Sequence, residues 1–385
     1  MTVKRAAIAA ACLAGLAGNA FGQAQLPGYG HAASGMGGAS IAVPYDSVST
    51  ANNPAGMAYV GTRADFVFTG IYTTAETNLG PFSYDASDFG FGPMGGYNQD
   101  MKNGWTLGVS FYGFGSAIDY GQPFPGSTTD TTSSVVQLVA APTATYRIAT
   151  DHAIGVALLA AAQKIEITGL QSFGFQDPGS DTSYGLGGSI GYLGTLAPGF
   201  RLGVSYASKI DMGRLDKYAN LLADAGNQDI PQQVGVGLAW QATPQLLVAF
   251  DYLWIDWSSV KPLGNPYPGS GPPGSPDGPG SGWQDQSVYR LGVAWDADAR
   301  WTLRAGATYK SALLDAPSVT LNTLTPLVPQ FTLTLGATYR IDARQIVTAA
   351  LAHNFEKSIA GTGASTGVDL TSSATFFTLG YGYAF

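Results

Sequence analysis

The chain has 385 residues and a formal net charge of -8, and only 11% of its residues are charged, against roughly 25% in an average soluble domain. So acidic a balance excludes a nucleic-acid binder, and 45% hydrophobic residues exclude a disordered chain. The 52 glycines and 12% aromatic residues point instead to strands in an apolar environment.

The N-terminus reads as a cleaved export leader over residues 1–24. Lys4 and Arg5 form a basic start, Ala6 to Gly18 is a short uncharged apolar run, and small residues follow around Ala20-Phe21-Gly22 and Gly22-Gln23-Ala24. The run is too short for a spanning helix, which needs about 20 residues. Cys12, the single cysteine, lies inside the leader, so the mature chain has no thiol and no disulfide.

Residues 25–62 are rich in small side chains and only weakly amphipathic. They include Ser34-Gly35-Met36-Gly37-Gly38-Ala39 and Asn52-Asn53-Pro54-Ala55-Gly56. Two readings stand: a flexible linker, or a plug whose small residues pack tightly in a confined lumen.

Fourteen runs with a period of two follow, near 64–76, 88–99, 104–115, 133–149, 152–168, 182–196, 199–211, 230–242, 245–257, 284–296, 300–312, 329–341, 345–357 and 372–385. Each approaches or exceeds the 9–11 residues or so of a membrane-crossing strand. Short turns such as Ala149-Thr150-Asp151 and Ala197-Pro198 alternate with longer segments near 77–87, 116–132, 169–181, 212–229, 258–283, 313–328 and 358–371. Short turns on one side and long loops on the other predict an all-β fold, a 14-stranded antiparallel transmembrane β-barrel over residues 63–385, with the preceding segment as an N-terminal hatch in its lumen. Closure pairs every backbone group without leaving an edge in the bilayer.

Alternation assigns Leu107, Val109, Val156, Leu158, Val204, Val236, Leu238, Leu291, Val293, Leu333, Leu335 and Leu379 to the lipid face. Trp240, Tyr252, Trp254, Trp295, Tyr309, Tyr339 and Tyr383 cluster near run ends, as interfacial girdles do. The inward set is small or apolar, with Val139, Leu159, Leu247, Leu253 and Phe376 among glycines and hydroxyls. With 44 charged residues in the whole chain, facing rows of charge are not available, and the interior suits hydrophobic molecules better than ions.

The segment with Ser34-Gly35-Met36-Gly37-Gly38-Ala39 and Asn53-Pro54-Ala55-Gly56-Met57, the run Phe250-Asp251-Tyr252-Leu253-Trp254-Ile255-Asp256-Trp257-Ser258, and the later runs Tyr289-Arg290-Leu291-Gly292-Val293, Trp301 to Gly306 and Pro329 to Gly336 resemble the FadL-type (OmpP1/FadL/TodX) outer-membrane transporters of hydrophobic compounds. The resemblance spans nearly the whole mature chain. It implies a monomer in the outer membrane of a Gram-negative bacterium, among membrane lipids and lipopolysaccharide. It also implies uptake of hydrophobic molecules, long-chain fatty acids first and aromatic or alkane hydrocarbons as the alternative. A hatch at Asn52, Asn53, Pro54, Ala55 and Gly56 would move, and substrate would leave sideways where the third strand bends. Gly113 and Gly115 mark that bend here, since glycine in a strand signals a bulge, although both could simply begin the next loop.

A fatty-acid head needs a cation or other donors. Arg147, Arg201, Lys209, Arg290, Arg304, Lys310 and Arg340 face the lumen by alternation, and Arg290, Arg304, Lys209 and Arg147 are the candidates. An Arg290–Asp251 pair between neighbouring strands would instead be structural. Lys209, Arg214 and Lys217 flank Tyr218, Leu221 and Leu222, a candidate outer capture loop or an ordinary solvated one. No cofactor, metal site or nucleic-acid partner is expected. His31, His152 and His353 are far apart, and no catalytic motif is present, which argues against an enzyme; His353, Asn354 and Glu356 form the nearest thing to a cluster. Asp177 and Asp181 have no specific calcium spacing. The proline-rich stretch 258–283 reads as an exposed flexible loop, and a structural or adhesive barrel remains the reading from another class.

Overall fold

Period-two alternation gives each strand one face for lipid and one for the interior, and closing the ring removes the edges. The computed structural model describes residues 26–385, so the expected leader lies outside the described residues. The strands are β1 (Arg63–Leu79), β2 (Phe82–Asp100), β3 (Trp105–Asp119), β4 (Thr132–Ala149), β5 (His152–Thr168), β6 (Asp181–Ala197), β7 (Phe200–Ala207), β8 (Asp211–Met212), β9 (Gln233–Thr243), β10 (Leu246–Ile255), β11 (Gln286–Asp296), β12 (Trp301–Lys310), β13 (Phe331–Arg340), β14 (Gln345–Ala360) and β15 (Val368–Ala384). All pair antiparallel with their neighbours, and β1 meets β15 from Arg63↔Ala384 to Leu79↔Val368, which shuts the barrel. The two-residue β8 continues the line of β7 against β6 after a break at Ser208 to Ile210, so β7 and β8 share one of fourteen positions in the ring.

The lipid face is apolar. Leu107, Val156, Leu158, Leu291, Leu335 and Leu379 are all exposed on it. Their inward neighbours Thr106, Thr334, Thr378 and Ala157 are buried. Aromatic pairs brace the turn ends, including Trp105 with Tyr146 at 4.9 Å and Trp301 with Tyr339 at 4.8 Å. None of the helices among the described residues is long and apolar enough to cross a membrane; the strands do so.

Two connections differ from the sequence expectation. The loop expected at 77–87 is a tight turn, because Leu79 pairs with Phe82 and Gly80 supplies the positive φ of 60° that the turn requires. The proline-rich stretch does not stand away from the barrel. The Asn265 side chain donates to the carbonyls of Pro276 and Gly278 at 3.0 and 2.8 Å and folds the loop back. Trp283 then packs into the group formed by Trp257, Val288 and Leu314.

Residues 26–62 lie inside the ring as short 3-10 turns, Ala33–Gly35, Ser49–Ala51 and Pro54–Tyr59, linked by irregular chain. Their backbone groups are satisfied largely by the wall and by one another.

Leu335 sits midway along β13 with 61% of its surface exposed. Leu335→Arg is expected to destabilise the barrel by about 2–4 kcal/mol, the cost of a cation at the bilayer midplane. Urea unfolding from lipid vesicles measures it.

Candidate functional site

The N-terminal segment is fastened to the wall by polar contacts spread around the ring. The Asp251 carboxylate on β10 accepts from Ser40 N at 2.7 Å and Ile41 N at 3.0 Å. Thr308 on β12 donates to the Gly37 carbonyl at 2.6 Å, and Gly37 N donates to Thr334 on β13 at 2.8 Å. Asn53 donates to the carbonyls of Ile41 and Tyr192 at 2.9 and 3.0 Å and accepts from Ala55 N. Asn98 on β2 donates to the carbonyls of Met57 and Gly61. Near the β1–β15 seam, His31 lies 3.3 Å from Asp65 and 3.5 Å from Asp46, with Arg63 forked onto Asp65. Burial pushes the Asp46 carboxyl up, against the pull of His31.

The wall offers glycines where this segment touches it. A side chain at Gly203 would meet the backbone of Ile41 and Ala42, one at Gly306 that of Met36 and Gly37, and one at Gly155 that of Pro54 and Ala55. Backbone therefore lies directly on backbone, and the floor of the lumen is filled at these strands.

Two cavities lie above that floor. The inner one is bounded by Leu26, Tyr29, Asn52 and Pro54 of the segment and by Tyr112, Leu159 and Arg290 of the wall. The outer one is lined by Ile165, Phe173, Leu221, Leu222, Trp283 and Leu324, among others. Phe114, Pro231 and Trp257 border both.

The four candidate cations part company. Arg290 borders the inner cavity, is 6% exposed, and forms no ion pair among the described residues. Its hydrogen bond is a long one, 3.5 Å to the Gly38 carbonyl, and its Nε has no partner. Asp251 is its cross-strand partner in register, yet the carboxylate turns to the N-terminal segment and the expected ion pair does not form. Lys310, diagonal to Arg290 on β12, is also buried and also without an ion pair. Burial pushes the Tyr29 phenol up, so it stays neutral beside Arg290.

Arg147 and Arg304 lie under the segment instead. Arg147 donates to the Ala58 carbonyl and, like Arg201, sits 5.5 Å from the Tyr59 ring. Arg304 stacks 5.6 Å from Tyr45 and donates to Thr338 at 2.6 Å. Lys209 is held by Asp229 at 2.7 Å and Asp211 at 2.8 Å, and its hydrogen bonds to those two carboxylates raise its pKa. Tyr218 is buried in a structural role, accepting from Ile167 N and donating to the Gly179 carbonyl, while its neighbours Leu221 and Leu222 face the outer cavity.

Gly113 and Gly115 lie on β3 where it leaves β2. The β2–β3 ladder runs from Asp100↔Thr106 to Gly95↔Phe111 and stops, while β3 stays paired with β4 through Gly113↔Leu138, Gly115↔Val136 and on to Asp119↔Thr132. The wall is thus split along 112–118 of β3 and the facing part of β2. Pro93, which has no N–H to leave unpaired, stands at that edge. Asp88 crosses the outer end of the split, accepting from Asp119 N at 2.7 Å. At the inner end Tyr29 packs on Tyr112, ring centroids 5.2 Å apart.

His353 bonds Thr375 and Asn354 bonds Thr332, both as ties between strands. Asp177 receives Leu170 N and Gln171 from its own loop and Thr129 from the loop between β3 and β4. Among the described residues no group of side chains has the arrangement of a metal site. Lys310, expected to face the lumen, was not among the binding candidates. Phe114, Pro231 and Trp257, which border both cavities, carry no signal in the sequence, because they come together from separate elements.

A closed barrel with a lipid-facing apolar belt, a filled floor and apolar chambers above it defines an outer-membrane channel for hydrophobic molecules. The family model described as outer membrane protein transport protein (OMPP1/FadL/TodX) matches residues 7–385, and the chain belongs to that family. It is accordingly a passive outer-membrane transporter of hydrophobic compounds in a Gram-negative bacterium, and not an enzyme. The P. putida toluene transporter TodX shares the fold with a TM-score of 0.74 and 18% identity, over 94% of this chain and 99% of that one. A Pseudomonas aeruginosa FadL homologue gives 0.69 and 16%, over 93% and 98%. The Ralstonia pickettii toluene transporter TbuX gives 0.66 and 18%, over 94% and 99%. No curated protein sequence matches the chain.

Gly306→Val is expected to drive the N-terminal segment off the wall. Entry of a small hydrophilic β-lactam into cells making the variant should rise several-fold over cells making the parent protein, with barrel folding checked by heat-modifiable gel mobility.

Proposed function

We propose that this protein takes up long-chain fatty acids. The outer cavity captures the chain, and the inner cavity holds it with the carboxylate at Arg290. Residues 26–62 act as the hatch, with Asn52 to Gly56 forming part of it, and the split between β2 and β3 is the exit into the membrane. The carrying observation is Arg290, a buried cation at the inner cavity that forms no ion pair among the described residues, because Asp251, opposite it in register, bonds the N-terminal segment. A charge left that way favours an anionic guest, because buried charges are normally paired. Lys310 strengthens the field from one strand away.

The direction of exit follows from the floor and from solvation. Each CH2 moved from water to an apolar surrounding is worth about 0.8 kcal/mol. A sideways path through the split keeps the chain in apolar surroundings throughout, whereas a downward path must lift segment backbone off wall backbone and then release the chain into water. Unpaired backbone at membrane depth is tolerated where protein buries it or where it lines a water-filled cavity, so the facing edges of β2 and β3 need one of these at the split.

The alternative, a channel for aromatic hydrocarbons, is favoured by the apolar lining of the outer cavity and by the similarity to structures described as toluene transporters. Such a guest has no use for Arg290.

Uptake of labelled oleate and of toluene, each corrected for cells lacking the protein, tests the reading. Arg290→Gln should lower oleate uptake about tenfold, the scale of a lost charged hydrogen bond, and lower toluene uptake far less. Deletion of Asn52 to Gly56 should alter both. Toluene uptake without oleate uptake in the parent protein would transfer the assignment to hydrocarbons.

A further inference from the structure

Two loops supply facing sides of the outer cavity. Leu221 and Leu222 come from the chain between β8 and β9, and Pro262, Leu263, Tyr267 and Pro279 from the proline-rich stretch 258–283. Among the described residues, two hydrogen bonds join residues 219–226 to that stretch, and both are between backbones. Asp224 N donates to the Ser275 carbonyl at 3.0 Å, and Ala225 N to the Gly274 carbonyl at 2.8 Å.

The residues that make these bonds are strained. Asp224 and Ala225 have left-handed backbone, with φ of 56° and 55°. Lys102 is the one other non-glycine residue with positive φ among the described residues. Left-handed backbone sets Cβ against a carbonyl oxygen, and alanine has no polar side chain to offset that cost. Such a conformation persists where its surroundings impose it. Here it presents two consecutive N–H groups to the proline-rich stretch. The chain on either side is fixed. Tyr218 is tied to Ile167 N and the Gly179 carbonyl, and Asp229 accepts from Met212 N and Lys209. Gly226, with φ of 79°, closes the strained turn against the Leu215 carbonyl.

We propose that residues 219–226 are a lid on the outer cavity, which swings away from the proline-rich stretch between Tyr218 and Gly226 to admit a hydrophobic guest from outside. A backbone hydrogen bond nets little when water replaces it, and a left-handed alanine costs a comparable amount, so the shut and open forms lie close in free energy. In the shut form Leu221 and Leu222 pack on the group that includes Tyr218 and Leu324. A guest's own apolar surface takes over that contact as the lid lifts. The inference goes beyond the fatty-acid reading, because any hydrophobic guest meets the same lid.

The test measures the lid directly. Spin labels on Asn220→Cys and Asp277→Cys, both at exposed positions, report the distance across the seam in the full-length barrel in lipid nanodiscs. The chain's single native cysteine, Cys12, lies in the expected leader and does not compete for label. Two distances are expected, the longer from the open form. Ala225→Gly keeps both N–H groups and removes the strain, so it should cut the longer-distance share about tenfold. Ala225→Val places a β-branched residue at positive φ and should raise it. A single distance that neither variant changes overturns the proposal. In cells, uptake of whichever guest the parent carries, oleate or toluene, should fall several-fold with Ala225→Gly. Uptake equal to that of the parent overturns the lid as the point of entry. Arg290→Gln separates this inference from the fatty-acid reading. If Arg290→Gln spares oleate uptake while both distances persist, the fatty-acid reading alone is lost. If Arg290→Gln lowers oleate uptake and one distance is seen, the lid alone is lost.

Discussion

The rest of the structure depends on one constraint: backbone donors and acceptors have no water to turn to inside a bilayer. The ring of strands meets it by pairing β1 with β15 along the whole of β1. Closure also fixes what is inside, since alternation sends every second side chain to the lumen. The constraint is relaxed locally between β2 and β3, where one ladder stops while the next continues. The sequence prepares that place with Gly113 and Gly115 on one edge and Pro93 on the other, residues that lose little by being unpaired or bent there.

Charge inside the barrel is divided by the same logic. Asp251 and Arg290 face each other across adjacent strands, and a simple ion pair would have neutralised both. Instead Asp251 is occupied by two backbone N–H groups of the N-terminal segment, which leaves Arg290 unclaimed. The contact that holds the segment in place and the contact that leaves a cation at the inner cavity are therefore one arrangement seen from two sides.

Much of the fold was legible because period-two alternation is a direct consequence of a two-faced wall. Leu335 and Thr334 declare their faces without help from tertiary structure. What alternation does not carry is height along the strand and the company a side chain keeps there. Arg147, Arg290 and Arg304 all point inward, yet only Arg290 borders the inner cavity, because Tyr45 and Tyr59 of the N-terminal segment cover the other two from above. Lys209 looked free because Asp229 stands twenty residues away in sequence and because Asp211 lies past the break between β7 and β8, where alternation no longer assigns sides. Phe114, Pro231 and Trp257, which border both cavities, come from β3, from the chain before β9 and from the turn after β10, a meeting no local pattern encodes.

The contacts of His31 have a consequence for how the molecule is assembled. His31 packs on Gly380 of β15 and bonds Thr348 of β14, while its other ring nitrogen faces Asp65 of β1. It thus lies behind the seam where the earliest and latest strands of the chain come together. The N-terminal segment therefore touches the first strand and the last two strands together, so the seating of the segment and the closure of the ring share one set of contacts.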